Sequence, residues 1–174
     1  MTADEIIQDL SIKIYSGPLS VVRHEPDYPD LENPLHLIVL LIDCDTEVQM
    51  QGMIGFLENN TGAHLGATIH ALRLFGALKV SESLEKVQQC MRRHDVTWER
   101  LRGDFEGMTE FQITSFHELH GETLDAFAQE VCDIAGGFEL FNHESGEPVY
   151  DLLCAHLDLR IIRLREEIQK REAK

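Results

Sequence analysis

GETLDAFAQEVCDIAGG, residues 121–137, places Leu124, Phe127, Ala128, Val131 and Ile134 at steps of three and four. That period puts the five side chains on one stripe of an α-helix and leaves charged residues on the opposite face. Gly121 separates this helix from what precedes it, and Gly136-Gly137 stops it. The same period recurs outward in both directions. Ile6, Ile7, Leu10 and Ile14 predict a short first helix ending near Gly17-Pro18. Pro26, Pro29 and Pro34 disfavour regular structure over 24–34. Leu35 to about Leu57 reads as a long, mostly buried helix, broken near Gly52 or Gly55.

Beyond it, 59–62 reads as a turn with Asn59 and Thr61 as capping residues. Ala63 to Phe75 forms a helix stopped by Gly76, and Ser81 caps another that runs to about His94. Thr97 to Leu101 reads as a turn around Trp98. Thr109-Glu110-Phe111-Gln112 has capping-box character and leads a helix to about His120. Pro148 suits a first helical position, and Val149, Leu152, Leu153, Leu157, Ile161, Leu164 and Ile168 predict one long terminal helix. Period-two β alternation is absent. The expected fold is all-α: a compact multi-helix domain of about six to seven helices with a long C-terminal helix. Residues 1–34 are expected to form a helix and a Pro/acid-rich arm, and residues 35–174 a single helical domain.

The chain has 174 residues, 43% of them hydrophobic, enough to build a core without metals or disulfides. It carries 31 Asp plus Glu against 15 Lys plus Arg, a net charge of −16. Affinity for nucleic acid comes largely from Lys and Arg displacing counterions, so direct binding to phosphate backbones is disfavoured. Anionic membranes repel the chain for the same reason. The charge is also localised. Gly103 to Leu159 holds thirteen acids and no Lys or Arg, whereas Arg160 to Lys174 holds six bases and three acids.

The N-terminus lacks the basic and apolar regions of a secretory signal, and the run Leu35–Ile42 is far short of a membrane span. Cys44, Cys90, Cys132 and Cys154 are widely spaced, which favours reduced, buried thiols over bridges. A cytoplasmic location is expected.

Little in the sequence suggests catalysis. His117 and His120 lie three apart with Glu118 and Glu122 nearby, but HELH is not the HExxH arrangement, whose histidines share a face four residues apart. They read as polar histidines on an exposed acidic helix; a metal or enzyme site built on them is the less favoured reading. No spacing isolates a pair of carboxylates, and phosphate-binding or nucleophile-elbow motifs are missing. Gly136-Gly137 is flanked by acids, which suits a helix stop better than a phosphate cradle. We expect no catalytic residues, no metal and no cofactor.

What remains is the acidic face. Glu118, Glu122, Asp125, Glu130 and Asp133 lie three to five residues apart, so charges advance by roughly 4.5–7.5 Å along a helix. Phosphates of one DNA strand advance about 3.4 Å, so two such rows approach the same charge density. With no base nearby in sequence, relief of the repulsion falls to water, counterions or a positively charged partner.

Glu47-Val48, Gly52, Phe56, Asn59, Thr61-Gly62, Ala71-Leu72 and Gly76-Ala77 resemble a bacterial family of small acidic helical proteins. Its motif runs EVxNGGFxQFFxNSSG and is followed by a helix ending ALxxIGA. The resemblance spans roughly residues 35–131. Gln51, Met53, Gly55 and Asn60 depart from the usual Gly, Phe, Gln and Ser. Glu47, Gly52, Phe56, Asn59, Thr61, Gly62 and Gly76 are expected to shape the helix–turn–helix core.

The family is known for a DNA mimic that binds a transcription factor and blocks its operator binding. The resemblance therefore implies a protein-interaction module that occupies the basic face of a DNA-binding protein. The expected contact residues are Asp104, Glu106, Glu110, Glu118, Glu122, Asp125, Glu130 and Asp133, with Glu25, Asp27, Asp30 and Glu32 as a second cluster. An immunity or antitoxin protein that neutralises a basic toxin or nuclease is the alternative. The terminal helix is a possible homodimer surface, although a core position within one chain explains its stripe equally well.

Overall fold

The computed structural model of the chain describes residues 2–106 and 115–173, apart from the side chains of Phe105 and Glu106. Thr109–Gln112, with Glu110, lies outside the described residues. Those described form helices, turns and loops with no strand, as the apolar periodicity requires.

The centre of the fold is α2 (Pro34–Glu58), whose residues 34–44 are all buried. A helix apolar all round must be covered on every side. The 3-10 turn Gly17–His24 and helices α3 (Leu65–Leu74), α5 (Trp98–Glu106), α7 (Asp125–Ala135) and α9 (Ile161–Glu172) all pack on it. The start of α2 is set locally: Asn33 Oδ1 accepts from Leu35 N at 3.0 Å, and Pro34 occupies the first turn. Helix α1 (Ala3–Lys13) adds Ile6, Ile7 and Leu10 to the same core and packs against α8 (Val149–Asp158). Helix α4 (Leu78–Arg93) packs between α3 and α7.

The motif residues from Glu47 to Gly62 lie around one bend, whereas Gly76, at φ +87°, stands between α3 and α4. Gly52 has φ +70°, which breaks α2 within its last two turns. Phe56 and Leu57 then point into the core, and the chain reverses through a 3-10 turn at Asn60–His64. A Cβ on Gly62 would lie 2.6 Å from the carbonyl oxygens of both Phe56 and Leu57. Asn59 and Thr61 do not cap. Asn59 Nδ2 donates to Glu47 Oε2 at 2.5 Å and its carbonyl accepts from Trp98 Nε1 at 2.8 Å. Thr61 Oγ1 is buried and meets no hydrogen-bond partner among the described residues.

Gly62→Ala should therefore cost about 1–3 kcal/mol, because two backbone oxygens rather than flexible side chains oppose the methyl group. Gly103→Ala, which meets open space on a helix, should be neutral or stabilising. Urea unfolding of the two variants separates packing from propensity. Equal midpoints would contradict the close-approach explanation of Gly62.

Several boundaries differ from the local reading. Ser81 does not cap α4, which begins three residues earlier; its buried hydroxyl donates to Leu78 O. The cap comes instead from Glu147, whose carboxylate accepts from Lys79 N at 3.2 Å and Val80 N at 2.9 Å. Trp98 opens helix α5 rather than sitting in a turn. Helix α6 (Phe116–His120) starts at Ser115, which forms a capping box with Glu118. The terminal stripe is carried by two helices, because α8 ends at Asp158 and α9 starts at Ile161. The break lets α8 lie on α1, where Asp158 Oδ1 accepts from Ala3 N, while α9 turns onto α2. Leu164 is fully buried in the chain's own core, whereas Leu159 and Ile162 are exposed. Cys44 and Cys90 are buried, Cys154 is half-buried and Cys132 is exposed, so burial holds for only part of the expected set; all four are free thiols.

Candidate functional site: an acidic helical face

Helices α5 and α7 both pack on α2, and α6 contacts both of them. Gly121, at φ +78°, turns the chain between α6 and the 3-10 turn Glu122–Leu124 that runs into α7. His120 joins the elements. Its Nδ1 lies 2.8 Å from Asp104 Oδ2 on α5, and its Nε2 lies 2.7 Å from Glu58 Oε1 at the end of α2. Phe116 stacks on its ring at a centroid distance of 4.3 Å. His120 is thus a buried tie between three helices, not the exposed polar histidine that its sequence context suggests. His117 is exposed, with Nδ1 2.7 Å from Asp125 Oδ2. These bonds join the two histidines to carboxylates and do not bring them together as a metal pair.

Glu118, Glu122, Asp125 and Asp133 are exposed, as is Asp104 on α5. Glu122, Asp125, Gln129 and Asp133 follow one side of the 3-10 turn and α7, and Asp133 accepts from Gln129 Nε2 at 2.9 Å. From Asp125 to Asp133 the side extends about 12 Å. Glu118 Oε2 is held by Ser115 N and Oγ at 2.9 and 3.0 Å, so part of its charge caps α6.

Glu130 points elsewhere. It pairs with Arg93, the last residue of α4, and its Oε2 lies 2.7 Å from Nε2 of His94, which caps that helix. Hydrogen bonds from His94 and then Arg93 hold its carboxyl below the usual range. Relief of repulsion at this position therefore comes from within the fold, which a sequence stretch without bases did not suggest. Glu110 lies outside the described residues, as does the Glu106 side chain.

The second expected cluster lies near the other end of α2. His36 and Glu58 stand near opposite ends of that helix, and the stretch from His36 to the Gly52 bend alone spans about 24 Å at 1.5 Å per residue. The two clusters are thus separate patches. Glu25 is half-buried and bound by Arg171, with Nε to Oε1 at 2.7 Å and Nη2 to Oε2 at 2.6 Å. Arg171 together with His36 lowers its carboxyl pKa to about 2. Asp30 N donates to His36 Nδ1, and Asp30 Oδ1 accepts from Glu32 N in a local turn. That leaves Nε2 as the protonated nitrogen of His36, 2.9 Å from Glu25 Oε2. Asp27 and Glu32 are exposed, Glu32 with Arg160 at 3.9 Å.

Among the described residues, two groups of side chains have ligand atoms close enough to share a metal ion. They are Cys90, His94 and Glu130, and Glu25, Asp27 and His36. In the second group the Arg171 guanidinium already covers both Glu25 oxygens. Nothing near Glu58 in sequence announces its contact with His120, 62 residues away.

The geometry is that of an all-α protein with exposed carboxylates on α5, α6, the 3-10 turn Glu122–Leu124 and α7. The chain belongs to the DMP19-like protein family, whose model matches residues 29–135, more than half its length. The matched region runs from the cis Tyr28–Pro29 bond to the end of α7 and includes the Gly52 bend. Searches among curated proteins and among solved structures return no match. Among the described residues, no helix is long and apolar enough to cross a membrane.

Proposed function

We propose that the chain is an acidic interaction protein of the DNA-mimic type, which occupies the basic face of a DNA-binding protein such as a transcription factor. The observation that carries this reading is the row Glu122, Asp125 and Asp133 with Asp104 and Glu118 beside it. All five are exposed within a base-free stretch of 57 residues. The DMP19-like family membership supports the same direction.

The mechanism is competition. A concentrated negative field steers a cationic partner to the face and raises the rate of encounter. Carboxylates then pair with the Lys and Arg side chains that would otherwise contact phosphates. Asp104, Glu118, Glu122, Asp125 and Asp133 form the core of the proposed surface, and Glu106 and Glu110 extend it in sequence. Asp27, Asp30 and Glu32 form a separate proposed patch, with Glu25 tied inward to Arg171. Glu130 sits at the margin, already paired.

The test uses the full chain as bait in its native cell extract at low and high salt, followed by elution with duplex DNA. A retained basic protein that salt and DNA both release is the expected result. Glu122→Lys, Asp125→Lys and Asp133→Lys combined should weaken that complex by about 100-fold or more. Far-UV circular dichroism should stay unchanged, because none of the three caps a helix. Retention that survives the triple reversal would overturn the proposal.

A further inference from the structure

Cys90 stands in the last turn of α4, His94 caps that helix one turn further on, and Glu130 meets them from α7. The Cys90 thiol sulfur, a His94 ring nitrogen and a Glu130 oxygen lie within 4.8 Å of one another. We propose that Cys90, His94 and Glu130 form a binding site for a Zn²⁺-class divalent ion that joins α4 to α7, with its fourth position open to solvent.

The donor set defines the class of ion. Thiolate, imidazole and carboxylate together suit Zn²⁺ and disfavour Mg²⁺ or Ca²⁺, which take all-oxygen shells. The Cys-x3-His spacing puts both ligands on one helical face, the third arriving from the neighbouring helix. Glu130 uses its two oxygens differently: Oε1 is held by Arg93, and Oε2 faces His94 at 2.7 Å. Arg93 can stay in place as an outer partner that orients the carboxylate while Oε2 binds the ion.

Phe127 packs edge-on against the His94 ring at 5.9 Å, which restricts its rotation. Cys90 is fully buried, whereas His94 and Glu130 are half-buried, so an ion would approach from their side. A tetrahedral ion sets its ligand atoms about 3.5 Å apart, so modest adjustment of these side chains closes the site. Binding releases the thiol proton of Cys90 into solvent, while His94 binds through Nε2 as neutral imidazole with its ring proton on Nδ1, so a metal–sulfur bond replaces the S–H bond and the Nε2 lone pair makes the metal–nitrogen bond. The other three-residue group does not compare, since the Arg171 cation covers both Glu25 oxygens.

The test titrates Co²⁺ into chelator-stripped, reduced, full-length protein and follows its absorption. The expected result is saturation at one equivalent with a thiolate-to-cobalt charge-transfer band, tetrahedral visible bands, and loss of both on adding Zn²⁺. The charge-transfer band is what distinguishes this site from adventitious binding at the other histidines. C90S should remove it, C132S and C154S should keep it, and E130Q should weaken Co²⁺ binding by at least about tenfold. Should C90S not fold, E130Q, altered at a half-buried position, decides. The proposal is overturned by a native-like wild type without the band, by a band that survives C90S, or by unchanged Co²⁺ affinity in a folded E130Q.

Discussion

Arg171→Met is expected to lower the unfolding free energy by about 3–5 kcal/mol, the usual loss when one partner of a buried ion pair is removed. Arg171 is only 6% exposed, although just three residues follow it in the sequence. It donates twice to Glu25, and its Nη1 reaches both the backbone and the side-chain carboxylate of Glu167, at 2.8 and 2.5 Å. Asn33, the residue that caps α2, also donates to Glu167 Oε2. The group therefore fastens the last turn of α9 to the first turn of α2. Methionine keeps the length of the stem but strands two carboxylates. Glu25→Gln combined with Arg171→Met should recover part of the loss, since an uncompensated charge is then removed.

The same network sets a pH dependence. Arg171, with His36, holds the Glu25 carboxyl at about 2 in the folded protein, well below its ordinary value of 4.5. A lowered folded pKa contributes stability that is present in full above the unfolded value. It is lost as pH falls from about 4.5 through about 2. Urea midpoints measured down this range should fall more steeply for the wild type than for Glu25→Gln. Parallel curves would remove Glu25 from the account, and a stability loss under about 1 kcal/mol in Arg171→Met would remove the network as a fastening.

Phe56→Ala is the second substitution with a large expected cost, again about 3–5 kcal/mol. Phe56 is completely buried just beyond the Gly52 bend, and its carbonyl is one of the two oxygens against Gly62. Removing the ring leaves a cavity beneath a reversal whose backbone is already in close contact, so the site has little freedom to collapse. Denaturant unfolding should show a lower midpoint with an unchanged slope, since the surface exposed on unfolding is nearly the same. A loss below about 1 kcal/mol would mean that the bend relaxes to fill the space. Acidic residues do not enter this prediction, so it separates the fold of the motif from the function of the surface.

These two substitutions differ in how visible their causes are in the sequence. Phe56 stands between Gly52 and Gly62 in a motif whose apolar and glycine positions are local signals. Arg171 offers no such signal: a basic residue near a helix C-terminus reads as a dipole complement on the surface. Its acceptor Glu25 lies 146 residues away. The acidic stretch shows the same division. Counting along 103–159 locates the negative charge, but the count treats its acids as equivalent. Folding separates them into exposed ones such as Glu122 and Asp133, a capping one in Glu118, and a paired one in Glu130.

The sequence by itself determined the helical class, the apolar stripes of the helices and most of their stops, because these depend on neighbours within a few residues. A period of three to four residues and a glycine at positive φ, as at Gly52, Gly76 and Gly121, act locally. Only the tertiary structure decided that Glu147 caps α4, that the terminal stripe divides so α8 covers α1 and α9 covers α2, and that Arg93 neutralises Glu130. It also decided that His120 lies between Glu58 and Asp104. Each of these depends on which helix faces meet, and a charge finds its partner across the fold through shape and burial rather than through distance along the chain.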